Sequence, residues 1–351
     1  MRILQIITLC ELGGAQSVVV NLSNSLCKQH EVIVAAGEGD GKMWGLLDAP
    51  IKQEHLPALR RALSPIGELK AIAEMRRLYK KYNPDVIHLH SSKVGILGRV
   101  AFPKSKVLYT VHGFDSIRIA YRKYLPVEKF LQNRCQAIVG VSKYDERNLE
   151  SEGITNHVGV VYNGIYPPVK LNVDPFRNIQ GYERKVLCIA RLSPQKKLDL
   201  FLEVAALLPQ YAFIWIGNQH PVEVEHTSNV FFMGNMPNAG AYNEYADLFL
   251  LPSNYEGLPI VIIEALSCGK PVVASAVGGI SELLDGTNGF AVRNDAKEMA
   301  EKIELIFSDA TLYGRMSQAA KETYLRSFTV DKMVDGYLQI YNRIYQSQTL
   351  E

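Results

Sequence analysis

Short apolar runs rich in Ile and Val recur along this chain, separated by stretches whose apolar residues fall three and four positions apart. In the first half the runs are ILQII (3–7), EVIVAA (31–36), DVIHLH (85–90), KVLYTV (106–111) and AIVGV (137–141). Between them, AQSVVVNLSNSLCKQ and SPIGELKAIAEMRRLYKKY have helical spacing. Buried strands that alternate with amphipathic helices predict an α/β fold, a doubly wound parallel sheet with helices on both faces.

The alternation stops at VYNGIYPPVKLNVDPFRNIQGYERK, a connector bearing proline and glycine, and then starts again. KVLCIAR (185–191), AFIWIG (212–217), VFFMG (230–234), LFLLP (248–252) and PVVAS (271–275) form a second set. The chain of 351 residues therefore reads as two tandem Rossmann-like domains, 1–165 and 185–329, joined by a linker over 166–184. Val330, Met333, Val334, Tyr337, Leu338, Tyr341 and Ile344 lie on one face of a terminal helix expected over about 330–349.

Composition narrows the function classes. A hydrophobic content of 47% with 21% charged residues is that of a globular protein, and a net charge of +2 gives no support to nucleic-acid binding. Five scattered cysteines without a C-x-x-C pair predict a reducing compartment and no disulfide framework or structural zinc. The opening MRILQIITLCELGGA is interrupted by Glu11 and a glycine pair, so it reads as a first strand rather than a leader. No apolar run approaches the ~18 residues of a membrane span. A soluble, cytoplasmic protein is expected.

In open α/β sheets ligands sit beyond the carboxyl ends of the strands, so the residues just after each run are the candidates. Gly13 and Gly14 follow the first run and open a helix, where bare backbone N–H groups favour phosphate; a purely steric turn is the other reading. The spacing fails the G-x-G-x-x-G pattern of dinucleotide sites. Arg191 and Lys196 follow the first run of the second half, near a helix start where cations oppose the helix dipole. They make sense around an anion such as a diphosphate, and a solvated basic turn is the alternative. His112, followed by Gly113, ends the KVLYTV run, either contacting substrate or sitting at a strand terminus. His88 and His90 alternate along one strand and share a face. No third metal ligand is spaced to join them and no D-x-D motif occurs, so a structural or supporting role is expected.

The stretch NYEGLPIVIIEALSCGKPVV places Glu256 in a loop after a strand. Pro259 suits a helix first turn and Gly269 a helix end, which puts Glu264 inside that helix. The two glutamates are spaced to grip different parts of one elongated ligand.

With EGLPIVIIE, EALSCGKPVVAS, VGGISELL, NGFAV, ARLSPQKKLDL, YNG (162–164), VHG and GGAQ together, the sequence resembles the retaining glycosyltransferases of family four over nearly its whole length. That resemblance implies a GT-B fold, two Rossmann-like domains facing across a cleft, with the last helix crossing back to the amino-terminal acceptor domain and a carboxyl-terminal donor domain. It implies that Glu264 binds the donor ribose, and that Glu256 with the backbone of Gly257, Leu258 and Pro259 holds the transferred sugar. Arg191 and Lys196 would neutralise the diphosphate, with Gly217 and the Gly13–Gly14 turn as further donor contacts. His112, Gly113 and Asn163 would lie on the acceptor side. Catalysis would retain the anomeric configuration without a divalent metal or cofactor, the leaving phosphate assisting acceptor deprotonation. The expected partners are a nucleotide-sugar donor, UDP being the common choice among relatives, and a glycan or lipid-linked acceptor as in bacterial surface polysaccharide synthesis.

The sequence departs from the pattern at IGNQHP, where a second glycine is frequent, at Tyr166, where an aspartate is common, and at Lys197, which replaces a glycine. Residues 58–82 cluster Arg60, Arg61, Lys70, Arg76, Arg77, Lys80 and Lys81 against Glu68 and Glu74, a surface suited to an anionic membrane or to water. A nucleotide-sugar epimerase, a dehydrogenase and a non-catalytic binding module are the rival classes. The first lacks support from the motif set, the second lacks its fingerprint, and the third leaves both glutamates and both cations unexplained.

Overall fold

In the computed structural model, which describes residues 1–348, each of these apolar runs is a strand. Residues Met1–Ile165 and those from Thr329 onward form one compact unit, and Tyr166–Phe328 form a second.

The first unit runs β1 (Arg2–Ile7), α1 (Gly14–Leu26), β2 (Glu31–Ala36), β3 (Lys52–His55), α2 (Pro65–Tyr82), β4 (Val86–His90), α3 (Ser92–Ala101), β5 (Val107–Val111), α4 (Leu125–Leu131), β6 (Ala137–Gly140), α5 (Lys143–Ser151) and β7 (Val158–Val160). Its sheet is parallel in the order β3-β2-β1-β4-β5-β6-β7. The chain builds outward from β1 to β3 and then returns to the other side of β1. This leaves a topological switch point between β1 and β4, the place where such sheets open a crevice. Strands β4 and β5 are buried throughout, as strands covered on both faces must be.

The second unit runs β8 (Lys185–Ile189), α6 (Leu198–Leu207), β9 (Ala212–Ile216), β10 (Val230–Phe232), β11 (Leu248–Leu251), α7 (Ile260–Ser267), β12 (Val272–Ser275), α8 (Ile280–Leu283), β13 (Gly289–Val292), α9 (Ala296–Ser308) and α10 (Ala310–Ser327). Its parallel sheet has the order β10-β9-β8-β11-β12-β13, with the switch point between β8 and β11. The second unit also takes in the stretch expected as a linker. Phe176 is fully buried there with its ring 5.8 Å from that of Tyr242, and Tyr245 donates to the Leu171 carbonyl. A buried aromatic anchors those residues to one body, so they do more than connect.

The last helix, α11 (Val330–Gln348), belongs to the first unit and packs against α1 and β4. It is entered through a bridge from Ile165 to Thr329. Its buried face is Val330, Met333, Val334, Tyr337, Ile340, Tyr341 and Ile344. Ile340 takes the place in that face that the sequence pattern gave to Leu338, which is half-buried. Residue 349 of the expected helix lies outside the described residues.

Candidate active site

The second unit gathers its predicted residues at the carboxyl ends of β8, β9 and β11. After β8 the chain passes the exposed Arg191, makes a short turn over Pro194–Lys196, and enters α6 one residue later. Lys196 therefore precedes the helix instead of opening it. After β11 the loop carries Glu256, only 7% exposed, whose carboxylate accepts from the Lys196 ammonium and, at 2.6 Å, from the Ser253 hydroxyl. The family resemblance implies different parts of a ligand for these two ionic residues; the fold makes them partners across 60 residues of chain. A buried carboxylate needs such compensation, because desolvation without a partner costs several kcal/mol, on the order of 3–5 when one member of a buried pair is removed.

Backbone and side-chain bonds lace the two turns together. Gln195 donates through its amide to the Tyr255 carbonyl at 2.8 Å, and Asn254 donates to the carbonyls of Pro194 by its side chain and Gln195 by its backbone, each at 2.8 Å. Ser253 is held from behind: its N–H donates to the Ser275 hydroxyl at 2.8 Å, and its carbonyl accepts from the Asn294 amide at 3.0 Å. Sequence reading missed Ser253, Ser275 and Asn294. The signal for Ser253 was its place directly after the LFLLP run, three residues before Glu256. Lys197 turns the other way, its ammonium 3.1 Å from Asp199.

Gly217 follows β9 with φ 116°, in the left-handed half of backbone space that favours glycine. A Cβ there would lie 2.5 Å from the Ala190 carbonyl oxygen and 3.3 Å from the Arg191 nitrogen, so glycine lets this loop close on the Arg191 turn. Leu258 is buried, and Gly257 accepts a backbone bond from Gly279 at 2.8 Å. Pro259 is the extended residue before α7 (φ −69°, ψ 117°), one position earlier than the first-turn place predicted for it. Its carbonyl still accepts from Ile262 at 3.1 Å.

Glu264 is the fifth residue of α7, half-buried, and burial pushes its carboxyl up to about 7. It does not touch Glu256's partners. Gly240 faces it, and a Cβ at that position would sit 2.7 Å from the Glu264 carboxyl carbon. Space for that carboxylate thus depends on the absence of a side chain opposite.

In the first unit, Gly13 (φ 178°, extended) and Gly14 lead from the β1 loop into α1, whose first turn contains no acidic side chain. His112 and Gly113 follow β5. The His112 Nε2 lies 3.0 Å from Nδ1 of His90, and the His90 ring packs 3.8 Å from that of His88. The third histidine that sequence spacing did not supply is therefore His112, brought in by the neighbouring strand. Burial lowers His88 and His90 well below the usual histidine value and takes His112 down to about 4. Among the described residues no group of three or more His, Cys, Asp or Glu is arranged to hold a metal ion. Asn163 is buried on the segment that packs against the start of α11, where Gly164 donates to the Met333 sulfur at 3.2 Å.

Two parallel-sheet Rossmann-like domains, each with polar and charged residues at its strand ends, are the architecture of the GT-B glycosyltransferases. The family described as Glycosyltransferase Family 4 matches residues 12–167, and that described as Glycosyl transferases group 1 matches residues 183–309. The chain is 30% identical to an uncharacterized 41.2 kDa protein in the cps region of Klebsiella pneumoniae, over 80% of this chain and 84% of that one. It is 27% identical to the O-antigen biosynthesis glycosyltransferase WbnH of Escherichia coli, over 95% and 97% of the two chains. To the UDP-Gal:alpha-D-GlcNAc-diphosphoundecaprenol alpha-1,3-galactosyltransferase of Escherichia coli it is 26% identical, over 94% of each. In fold it is similar to HepE of Anabaena, solved in complex with UDP and glucose, with a TM-score of 0.82 at 22% identity, covering 97% of this chain and 99% of that one. The chain belongs to the family-four glycosyltransferases.

Proposed function

We propose that this glycosyltransferase moves a sugar from a UDP-sugar to a glycan or lipid-linked acceptor in the assembly of a bacterial surface polysaccharide, with retention of anomeric configuration and without a metal. The observation that carries the reading is the Lys196–Glu256–Ser253 cluster at the β8/β11 switch point, with Arg191 and the Gly217 turn beside it. Glycosyl transfer develops negative charge on the leaving diphosphate. Arg191 and Lys196 supply positive charge at the strand ends to stabilise it. Glu256, with the backbone N–H groups of Gly257 and Leu258 just ahead of Pro259, takes the hydroxyls of the transferred sugar, and Glu264 takes the ribose. The leaving phosphate oxygen then accepts the proton of the acceptor hydroxyl on the same face, which leaves the configuration unchanged. In this reading His112, Gly113 and Asn163 serve the acceptor side, and the Gly13–Gly14 turn offers bare backbone N–H groups suited to phosphate.

The donor and acceptor classes are supported by relatives: the galactosyltransferase above is named for UDP-Gal and a diphosphoundecaprenol-linked sugar, and HepE was solved with UDP. In this reading the protein is cytoplasmic, and the basic segment offers a way to dock peripherally at the inner face of the membrane. No helix among the described residues is long and apolar enough to cross a membrane. Attachment would come from the basic segment 58–82, where Leu63, Ile66 and Leu69 are 65–69% exposed beside Arg60, Arg61 and Lys70. Helix α2 buries Ala71, Met75 and Leu78 on its other side. A thermal-shift screen of UDP-, GDP- and ADP-sugars tests the donor. Stabilisation by UDP-sugars alone is expected, and a preference for another base removes that assignment. Product anomer analysis by NMR then tests retention, and transfer under a chelator tests metal independence.

A further inference from the structure

Seven side chains of the first unit form one buried polar circuit that ends on His112. Gln5, His88, His90, Thr110, Tyr337 and Tyr341 are each fully buried, on β1, β4, β5 and α11. His90 Nε2 lies 2.6 Å from Gln5 Oε1, and Gln5 Nε2 lies 3.1 Å from the Tyr341 hydroxyl. That hydroxyl is 2.7 Å from His88 Nδ1, and His88 Nε2 is 2.7 Å from the Thr110 hydroxyl, which is 3.2 Å from Tyr337. His90 Nδ1 then meets His112 Nε2 at 3.0 Å.

Such a circuit has a direction. Burial keeps the imidazoles neutral, so each carries one proton and must donate at one nitrogen and accept at the other. The Gln5 amide decides which way it runs. At 2.6 Å the contact with His90 Nε2 is slightly shorter than a usual N–H···O bond and shorter still than N–H···N allows, so the amide oxygen is the better partner there. A separation of 3.1 Å suits an amide N–H reaching a hydroxyl oxygen. With the amide so oriented, His90 donates from Nε2 and its Nδ1 is bare. His112 must then donate from Nε2 into that lone pair, which leaves its own Nδ1 without a proton. At the other end Tyr341, accepting from Gln5, gives its proton to His88 Nδ1, and His88 gives its own to Thr110. In this sense both nitrogens of His88 and of His90, and both ends of the Gln5 amide, have a partner of the right kind, as buried polar groups require.

We propose that Gln5, His90 and Tyr341 are positioning residues that hold His112 in the tautomer with a bare Nδ1, so that the ring meets an incoming acceptor hydroxyl as a hydrogen-bond acceptor. The second half rests on the acceptor-side reading of His112; the tautomer itself does not. The helix that closes the chain thereby sets the chemical face of a residue on β5's end, through two side chains and no direct contact.

The test is ¹⁵N NMR of histidine-labelled protein, with His112→Asn to assign the ring. Wild type is expected to show His112 Nε2 protonated and Nδ1 unprotonated; a proton on Nδ1 overturns the proposal. Tyr341→Phe and the near-isosteric Gln5→Met each free the amide end of the circuit, and His112 should become a tautomer mixture while the thermal transition stays cooperative. Transfer kcat should fall about tenfold, worth one good hydrogen bond, with the donor KM unchanged. A uniform wild-type tautomer in both variants would also overturn it. If His112→Asn transfers sugar at the full rate, the acceptor-side reading fails, and the tautomer spectra still report on the circuit by themselves.

Discussion

Lys196 donates to Glu256 across the switch point of the second unit, and the two residues, for which the family resemblance implies separate duties, compensate each other's charge. Their contributions to stability and to catalysis can be separated. Lys196→Ala should cost about 3 kcal/mol of stability, by leaving Glu256 with Ser253 alone, and should lower turnover by about 10²–10³. Combining Lys196→Met with Glu256→Gln should restore the urea midpoint but not the rate. Recovery of both would show the pair to be structural only. Arg191→Ala, exposed and outside this pair, should lower turnover with little change in the midpoint.

Glu264 predicts a pH dependence of donor binding. Its carboxyl is raised to about 7 by burial; in the proposed role at the donor ribose, the ionised form is the one that would accept from the hydroxyls. Affinity for UDP should therefore rise as pH increases toward 7 and level off above it. The slope at acid pH should approach tenfold per pH unit, measured by calorimetry. Glu264→Gln should bind more weakly and flatten the profile. Gly240→Ala should weaken binding as well, because a methyl group would displace the carboxylate.

Lys197 adopts φ 40° and ψ 62°, the left-handed conformation that costs a non-glycine residue about 1–2 kcal/mol. This explains physically why a glycine is usual at this place in the pattern the sequence resembles. Lys197→Gly should stabilise the second unit by about 1 kcal/mol with activity preserved. Destabilisation on chemical denaturation would mean that the Asp199 contact outweighs the strain.

The histidine circuit makes the first unit acid-sensitive. Unfolded histidines take up protons near pH 6.5, whereas His88, His90 and His112 stay neutral when folded. Below 6.5 the unfolded chain binds more protons, so stability present above that pH is lost as pH falls toward 4. Three such groups give a limiting slope of roughly 4 kcal/mol per pH unit. Urea midpoints recorded between pH 7 and 5 should drop steeply, and a flat series would show that these rings are protonated in the folded state.

The exposed Leu63, Ile66 and Leu69 predict salt-sensitive binding to anionic vesicles. Replacing them with Ser should reduce cosedimentation with phosphatidylglycerol liposomes at low salt. No cosedimentation by the native chain at low salt removes the membrane reading.

Strands covered on both faces were legible, because continuous Ile and Val runs leave no other reading. Those overlooked lie at sheet edges. Lys52–His55 is KQEH, with no apolar periodicity, and Val158–Val160 has only three residues. Gly289–Val292 opens on a glycine that a strand pattern discourages. At the site, Arg191, Lys196 and Glu256 could be picked out by their places after strands, and Glu264 by its place in the helix that follows Glu256. Contacts between them could not, since Lys196 and Glu256 meet only once β8 and β11 are neighbours. His112 was likewise visible while its link to His90 was not, because that link depends on the pairing of β4 with β5.

The route of α11 has a consequence for synthesis. Residues 166–328 are contiguous and hold the whole second unit, while the first unit needs residues 330 and beyond to cover β4 and to give Gln5 and His88 their tyrosine partner. On the ribosome, the half translated first must therefore wait with an open polar core until the last helix, made after the whole second half, has emerged. A chain stalled before Tyr341 would hold a finished second half beside an unfinished first, and it is that first half which a chaperone would have to guard.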